Sequence, residues 1–257
     1  MQVTLIQQDI VWGDVAANHS LLDSALAAAP SSELYVLPEM FSTGFATQRE
    51  ATVEEVADCR SLEWMKCKAA GLGAAICGSV ALHLSDGRCV NRLYFVKPDG
   101  SVTQYDKRHL FNYGGEGERF SAGDRRVIVE WKGVRFLLCV CYDLRFPVWL
   151  RNRGDYDALI AVANWPVPRR FAWDTLTRAR AIENQCYVLA VNRTGTDPAC
   201  EYNGGTALIN PFGETVCSVD DCVAGPVCGI LDIKNVQTYW KRFPVLEDAD
   251  SFELRIE

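Results

Sequence analysis

The chain has 257 residues, 49% of them hydrophobic, which suits one large domain with a substantial core. A formal charge of -7, with lysines and arginines scattered, argues against a nucleic-acid or anionic-membrane surface, where a basic patch is needed. The N-terminus, MQVTLIQQDIVWGD, has no basic segment followed by a long apolar one, and no apolar run is long enough to span a bilayer. A cytoplasmic protein is therefore expected. Its eleven cysteines should then be mostly free thiols. With no Cys-x-x-Cys pair and three histidines, His19, His83 and His109, a structural zinc site has little to draw on.

Short Val/Ile/Leu-rich runs alternate with helical patterns. Met1–Gln8 reads as a strand, Val15–Ala29 as a helix and Glu33–Leu37 as a short strand ending in Pro38-Glu39. Ser61–Ala70 reads as a helix and Ala74–Leu82 as a buried strand. Asn91–Val96 and Val102–Tyr105 flank Lys97-Pro98-Asp99-Gly100, which is hairpin turn chemistry. Arg126–Glu130 and Val134–Val140 form a similar pair. Pro147 starts a helix to about Arg153, followed by strand Ala158–Ala163, long helix Arg169–Asn184 and strand Cys186–Asn192. Thr206–Asn210 and Glu214–Ser218 make a last hairpin. On the long helix, Trp173, Leu176, Ala179 and Ile182–Glu183 are read as one apolar stripe against a sheet. Tyr239–Glu257 is read as a polar C-terminal tail, lying along a neighbouring subunit or fraying.

Hairpin strands mixed with helix-joined strands imply a mixed sheet, or two sheets, covered by helices. No Gly-x-Gly-x-x-Gly follows a strand, and Gly114, Gly115 and Gly117 lead into Arg119-Phe120 rather than a helix, so a phosphate loop is a weak reading.

The chemistry centres on LLCVCYDLRFP, Leu137 to Pro147. Cys139 lies inside a continuous apolar run and reads as packing. Cys141 lies where the run ends, ahead of Tyr142-Asp143, at the carboxyl end of a strand, where α/β folds place reactive groups. A thiol there needs a base, and its oxyanion needs a donor. His109 is one candidate base. Glu39, after Leu34-Tyr35-Val36-Leu37-Pro38, and Lys107, after Val102–Tyr105, offer another solution, an acid and an amine each at a strand end. Taken singly, Glu39 reads as a loop carboxylate and Lys107 as a solvated charge.

Together these segments resemble the nitrilase superfamily of carbon–nitrogen hydrolases. LPEMFSTGF is similar to its glutamate segment, YDKRHLF to its lysine segment and CVCYDLRFP to its cysteine segment, and the likeness continues through Val162–Gly195 and Gly204–Gly213 to about Leu231. The resemblance implies a four-layer α-β-β-α sandwich, paired into dimers or larger assemblies. It implies a Glu39, Lys107 and Cys141 constellation with a second glutamate, Glu116 in GGEGERF or Glu118 nearby, and no metal or organic cofactor. The Tyr-Asp-Lys-Arg-His-Leu-Phe and Asn-Trp-Pro segments look most like the omega-amidase branch. That branch cleaves the terminal amide of short 2-oxo dicarboxylic monoamides, 2-oxoglutaramate and 2-oxosuccinamate. Tyr142 is then expected to offer its backbone N–H to the oxyanion. Arg145 either meets an anionic substrate or ties down its loop, and Trp165 either walls the pocket or joins the core. The rivals are a nitrilase, an aliphatic amidase or an N-carbamoyl amino-acid hydrolase of the same superfamily, a Cys–His hydrolase using His109, and a non-catalytic scaffold.

Overall fold

A computed structural model describes residues 1–255. In chain order its strands are β1 (Gln2–Gln7), β2 (Leu34–Val36), β3 (Glu54–Glu55), β4 (Ala75–His83), β5 (Cys89–Val96), β6 (Val102–Asp106), β7 (Ile128–Trp131), β8 (Val134–Val140), β9 (Ala158–Ala163), β10 (Tyr187–Asn192), β11 (Thr194–Thr196), β12 (Glu201–Asn203), β13 (Ala207–Ile209), β14 (Thr215–Ser218) and β15 (Gly225–Ile230). The α-helices are α1 (Val15–Ala28), α2 (Arg60–Leu72), α3 (Pro147–Leu150), α4 (Arg170–Glu183) and α5 (Ile233–Arg242).

One sheet has the order β15-β1-β2-β4-β5-β6, with β3 beside β4, and the other the order β14-β13-β10-β9-β8-β7. In each, strands joined by helices run parallel in the middle (β1, β2 and β4; β8, β9 and β10), and antiparallel strands extend the edges, most of them from hairpins and β15 from the far end of the chain. Side-chain alternation then decides the layers. Val3, Leu5, Leu34, Val36, Leu93 and Phe95 of the first sheet share one core with Phe136, Leu138, Val140, Ile160 and Leu189 of the second. The Phe95 and Phe136 rings meet across the gap at 6.1 Å. The opposite face of the first sheet, with Ile6, Tyr35, Ile76 and Tyr94, packs on Leu22 and Leu26 of α1 and Met65 and Ala69 of α2. Trp173 and Ala181 of α4 cover the outer face of the second sheet. The result is a four-layer α-β-β-α sandwich.

Three expectations change. The helix at Pro147 ends at Leu150 rather than Arg153: Arg151 leaves helical geometry, and the Asn152 side chain accepts the Gly154 and Asp155 N–H groups, closing a turn that competes with helix. On α4 the buried face is Trp173, Thr177, Arg180 and Ala181, whereas Ile182 is 54% exposed. Steps of three residues drift off a 3.6-residue face, so the stripe read at 173, 176, 179 and 182 slides toward solvent. Residue 239 is not where the ordered structure stops. It lies inside α5, which Asp232 caps by accepting the Asn235 N–H. Val236 of α5 is buried and the Trp240 indole donates to the Gln185 carbonyl. Beyond it, Leu254 packs on the main core and Phe252 lies 4.4 Å from the Arg153 guanidinium. Within the described residues 239–255 the segment thus contacts its own chain, and residues 256–257 of the expected tail lie outside them.

Candidate active site

The carboxyl ends of β2, β6, β8 and β9 meet at one end of the sandwich, and each delivers a polar group. After β2, Leu37 extends the ladder by one bond to the Cys77 carbonyl, and the Ser79 hydroxyl accepts the Met40 N–H. Met40 takes a left-handed φ of 45°, which ends the strand and turns Glu39 inward. The turn has room because β4 carries Gly78: a Cβ there would stand 2.9 Å from Leu37 Cβ and Phe41 Cδ1.

The Glu39 side chain is fully buried. Its Oε1 accepts from Lys107 Nζ at 2.9 Å and from Asn91 Nδ2 at 2.8 Å, and its Oε2 accepts from the Asn164 backbone N–H at 2.8 Å. Lys107, one residue past β6, is equally buried and also donates to Glu116 Oε2 at 2.8 Å. Glu116 holds the Phe111 N–H at 2.6 Å and receives Asn91 Nδ2 at 3.3 Å, whereas Glu118 points to solvent. Of the two glutamates left open by the sequence, Glu116 is the one in contact with Lys107. One ammonium thus sits between two carboxylates. Burial opposes the Lys107 charge, but Glu116 and Glu39 outweigh it and hold the ammonium well above the usual lysine range. Burial, seconded by Glu39, lifts the Glu116 carboxyl above the ordinary carboxylate value despite Lys107.

Cys141, the first residue past β8, has φ 46°, a conformation that costs a non-glycine residue about 1 kcal/mol or more and persists only when neighbours enforce it. Asp143 enforces it. Its fully buried carboxylate accepts the Val140 N–H, the His109 N–H, His109 Nδ1 at 2.7 Å and the Tyr105 hydroxyl at 2.7 Å. From the other side, buried Arg180 of α4 donates Nε and Nη2 to the Leu144 carbonyl. The left-handed turn swings Cys141 out of the strand face that keeps Cys139 in the core. The Glu39 carboxylate and the Asn164 N–H both approach the Cys141 thiol, and burial together with the Glu39 charge raises its pKa well above the usual thiol range. A thiol so placed stays protonated near neutral pH and must lose its proton to a neighbouring base as it attacks. His109 is not that neighbour: its ring is held by Asp143, stacks on Phe146 at 3.8 Å and opens on a different depression.

Cys141 lines a cavity of about 290 Å³ walled by Trp12, Phe45, Phe111, Trp165 and Tyr202. Tyr142 and Arg145 line it too, with Tyr142 wedged between Phe111 and Phe146 at 5.2 Å from each. Trp165 is 3% exposed, packs on Trp173 and also lines the cavity. Asn91, Asn164, Asp143 and Arg180 escaped the sequence reading. A buried Asn inside the apolar strand CVNRLYFV was an available signal, while the others sit beside motif residues without a pattern of their own.

A buried carboxylate and ammonium thus stand behind a thiol that lines a cavity at one end of the sandwich, and known proteins share the sequence and fold of this chain. The family described as carbon-nitrogen hydrolase matches residues 2–239. Omega-amidase YafV of Escherichia coli K12 is 46% identical over 255 residues, 99% of this chain and 98% of that protein. The 2-oxoglutaramate amidase of Bacillus subtilis is 33% identical, covering 96% of each. Among solved structures, XC1258 of Xanthomonas campestris, a CN-hydrolase superfamily protein with an arsenic adduct in the active site, superposes with TM-score 0.95 at 41% identity over 99% of both chains. Saccharomyces cerevisiae Nit3, of branch 10 of the nitrilase superfamily, shares the fold at TM-score 0.84 and 22% identity, over 95% of this chain and 94% of its own. The chain belongs to the carbon-nitrogen hydrolase family.

Proposed function

We propose that this protein is a cysteine-dependent omega-amidase. It cleaves the terminal amide of small 2-oxo dicarboxylic monoamides, 2-oxoglutaramate and 2-oxosuccinamate, to the dicarboxylate and ammonia. The reading is supported by the two relatives called omega-amidase and 2-oxoglutaramate amidase, which align over nearly the whole chain. The single observation that carries the chemistry is the contact of Glu39 with both Lys107 and the Cys141 thiol in one buried cluster.

Glu39 takes the thiol proton as Cys141 Sγ attacks the amide carbon, forming the C–S bond. The tetrahedral oxyanion is held by the Lys107 ammonium and the Tyr142 backbone N–H; one such donor is worth on the order of 10²–10³ in rate. Collapse breaks the C–N bond, and Glu39 returns the proton to the departing ammonia, leaving a thioester on Cys141. Water, deprotonated by Glu39, adds to the thioester, and the C–S bond breaks as the thiol regains its proton. Glu116 positions Lys107, and its hold on Phe111 joins the lysine to the cavity wall. Arg145 and Trp165 take part in seating the substrate. Eleven free cysteines suit action in a reducing compartment such as the cytoplasm.

The test is a rate panel of 2-oxosuccinamate, glutamine, a simple nitrile and an N-carbamoyl amino acid. The oxo-amide should be turned over fastest. Faster turnover of the nitrile or the carbamoyl compound would move the protein to another branch of the family.

A further inference from the structure

Two guanidiniums line the catalytic cavity, those of Arg145 and Arg169. Each is laid on an aromatic face: Arg145 lies 5.0 Å from the Trp165 ring centre and Arg169 lies 5.1 Å from that of Phe111. Arg92, Arg135 and Arg170 are each paired with an aspartate at 2.6–2.9 Å. By contrast, among the described residues neither Arg145 nor Arg169 has a side-chain hydrogen bond or ion pair. Stacking fixes the plane of a guanidinium and leaves its fork of N–H donors open. The two are also linked mechanically. Trp165 carries Arg145 on its face and donates its indole N–H to the Arg169 carbonyl at 2.7 Å.

The charges around the cavity give these open donors a direction. Among the described residues the one acid in the wall, Asp197, is already satisfied by the Tyr202 hydroxyl and the Ala199 and Cys200 N–H groups. At the reacting end, Glu39 and Glu116 share one ammonium, so that cluster does not attract an anion. An anionic amide therefore enters with its uncharged end toward Cys141 and its carboxylate toward the arginines.

We propose that Arg169 is a specificity-determining residue, which together with Arg145 grips the carboxylate remote from the scissile amide, selecting amides with an anionic far end over neutral ones of equal length. This rests on the amidase reading above and names which residue sets its substrate class. Hydrogen bonds to a charged group each change affinity by about 10- to 100-fold, so removing one guanidinium should weaken carboxylate recognition by that factor.

The test uses the full chain with Arg169→Gln and Arg169→Lys. For 2-oxosuccinamate, Arg169→Gln should raise KM about 10- to 100-fold with little change in kcat, while kcat/KM for the neutral amide butyramide stays within about two-fold. Arg169→Lys, which keeps the charge and loses the fork, should fall in between. Equal losses on both amides, or none on the oxo-amide, overturn the proposal. Calorimetric binding of 2-oxoglutarate to Cys141→Ala, with and without Arg169→Gln, separates this from the parent reading. Weaker binding in the double variant supports the clamp even if oxo-amides prove to be poor substrates. Unchanged binding overturns the clamp even if oxo-amides are the best substrates.

Discussion

Lys107 sets the charge balance of a fully buried cluster, and its replacement has a signed consequence. In Lys107→Met, Glu39 and Glu116 would face each other buried and without their shared cation, and at least one carboxyl would hold a proton in the folded state. A carboxyl whose folded pKa lies above its unfolded value contributes stability below the unfolded pKa and loses it as pH rises through the folded one. The variant should therefore lose stability relative to wild type between about pH 5 and 8, by roughly 1.4 kcal/mol per pH unit for each proton retained. Urea denaturation at pH 5, 6.5 and 8 reads this, and parallel curves for the two proteins would contradict it. At this scale the sequence was informative about residue type and position: Glu39, Lys107 and Cys141 each stood at the end of an expected strand. It was silent on orientation. The left-handed turns at Met40 and Cys141, and the Asp143 carboxylate that braces the second, arise from contacts between segments far apart in the chain.

Elements deliver these residues with little slack. Gly78 in the middle of β4 clears the space into which the Glu39 turn packs. Gly78→Ala should displace Leu37 and Phe41, lower stability by about 1–3 kcal/mol and reduce turnover together with it, as read by thermal melting and initial rates. An alanine variant with unchanged melting and activity would show that the turn has other room. The strands that carry the site were legible because their apolar runs are continuous: Val134–Val140 and Ala158–Ala163 read correctly to the residue. Strand β15, GPVCGI, went unread because it is a half-exposed edge strand with two glycines and a proline, and it pairs only with β1. Hairpin β11–β12 is too short to show a period. Helix α5 did carry signals, an Asp232 cap and apolar residues at 233, 236 and 240, but its otherwise polar face hid them.

For the whole molecule, the outer surface beside the second sheet keeps an apolar patch. Ile182, Phe212 and Phe243 are 54%, 50% and 56% exposed, and the Phe212 and Tyr239 rings lie 4.5 Å apart. The family resemblance implies pairing into dimers or larger assemblies without naming the surface; we propose that this patch serves it. Sedimentation equilibrium should give a dimer, and Ile182→Asp with Phe212→Asp should shift it toward monomer; a wild-type monomer at micromolar concentration would remove the proposal. Charge works at this scale as well. The net charge is -7, yet two guanidiniums, Arg145 and Arg169, line the cavity on aromatic faces, so the local charge there is opposite in sign to that of the whole molecule, as the proposed anionic substrate requires.

The most direct measurement is rapid-quench intact-mass analysis of the enzyme during turnover of 2-oxosuccinamate, with peptide mapping of any adduct. An acyl group on Cys141, absent in Cys141→Ala and depleted in Glu39→Gln, is the predicted result. Amide consumption with no adduct at any time point, or an adduct on a different cysteine, would contradict it.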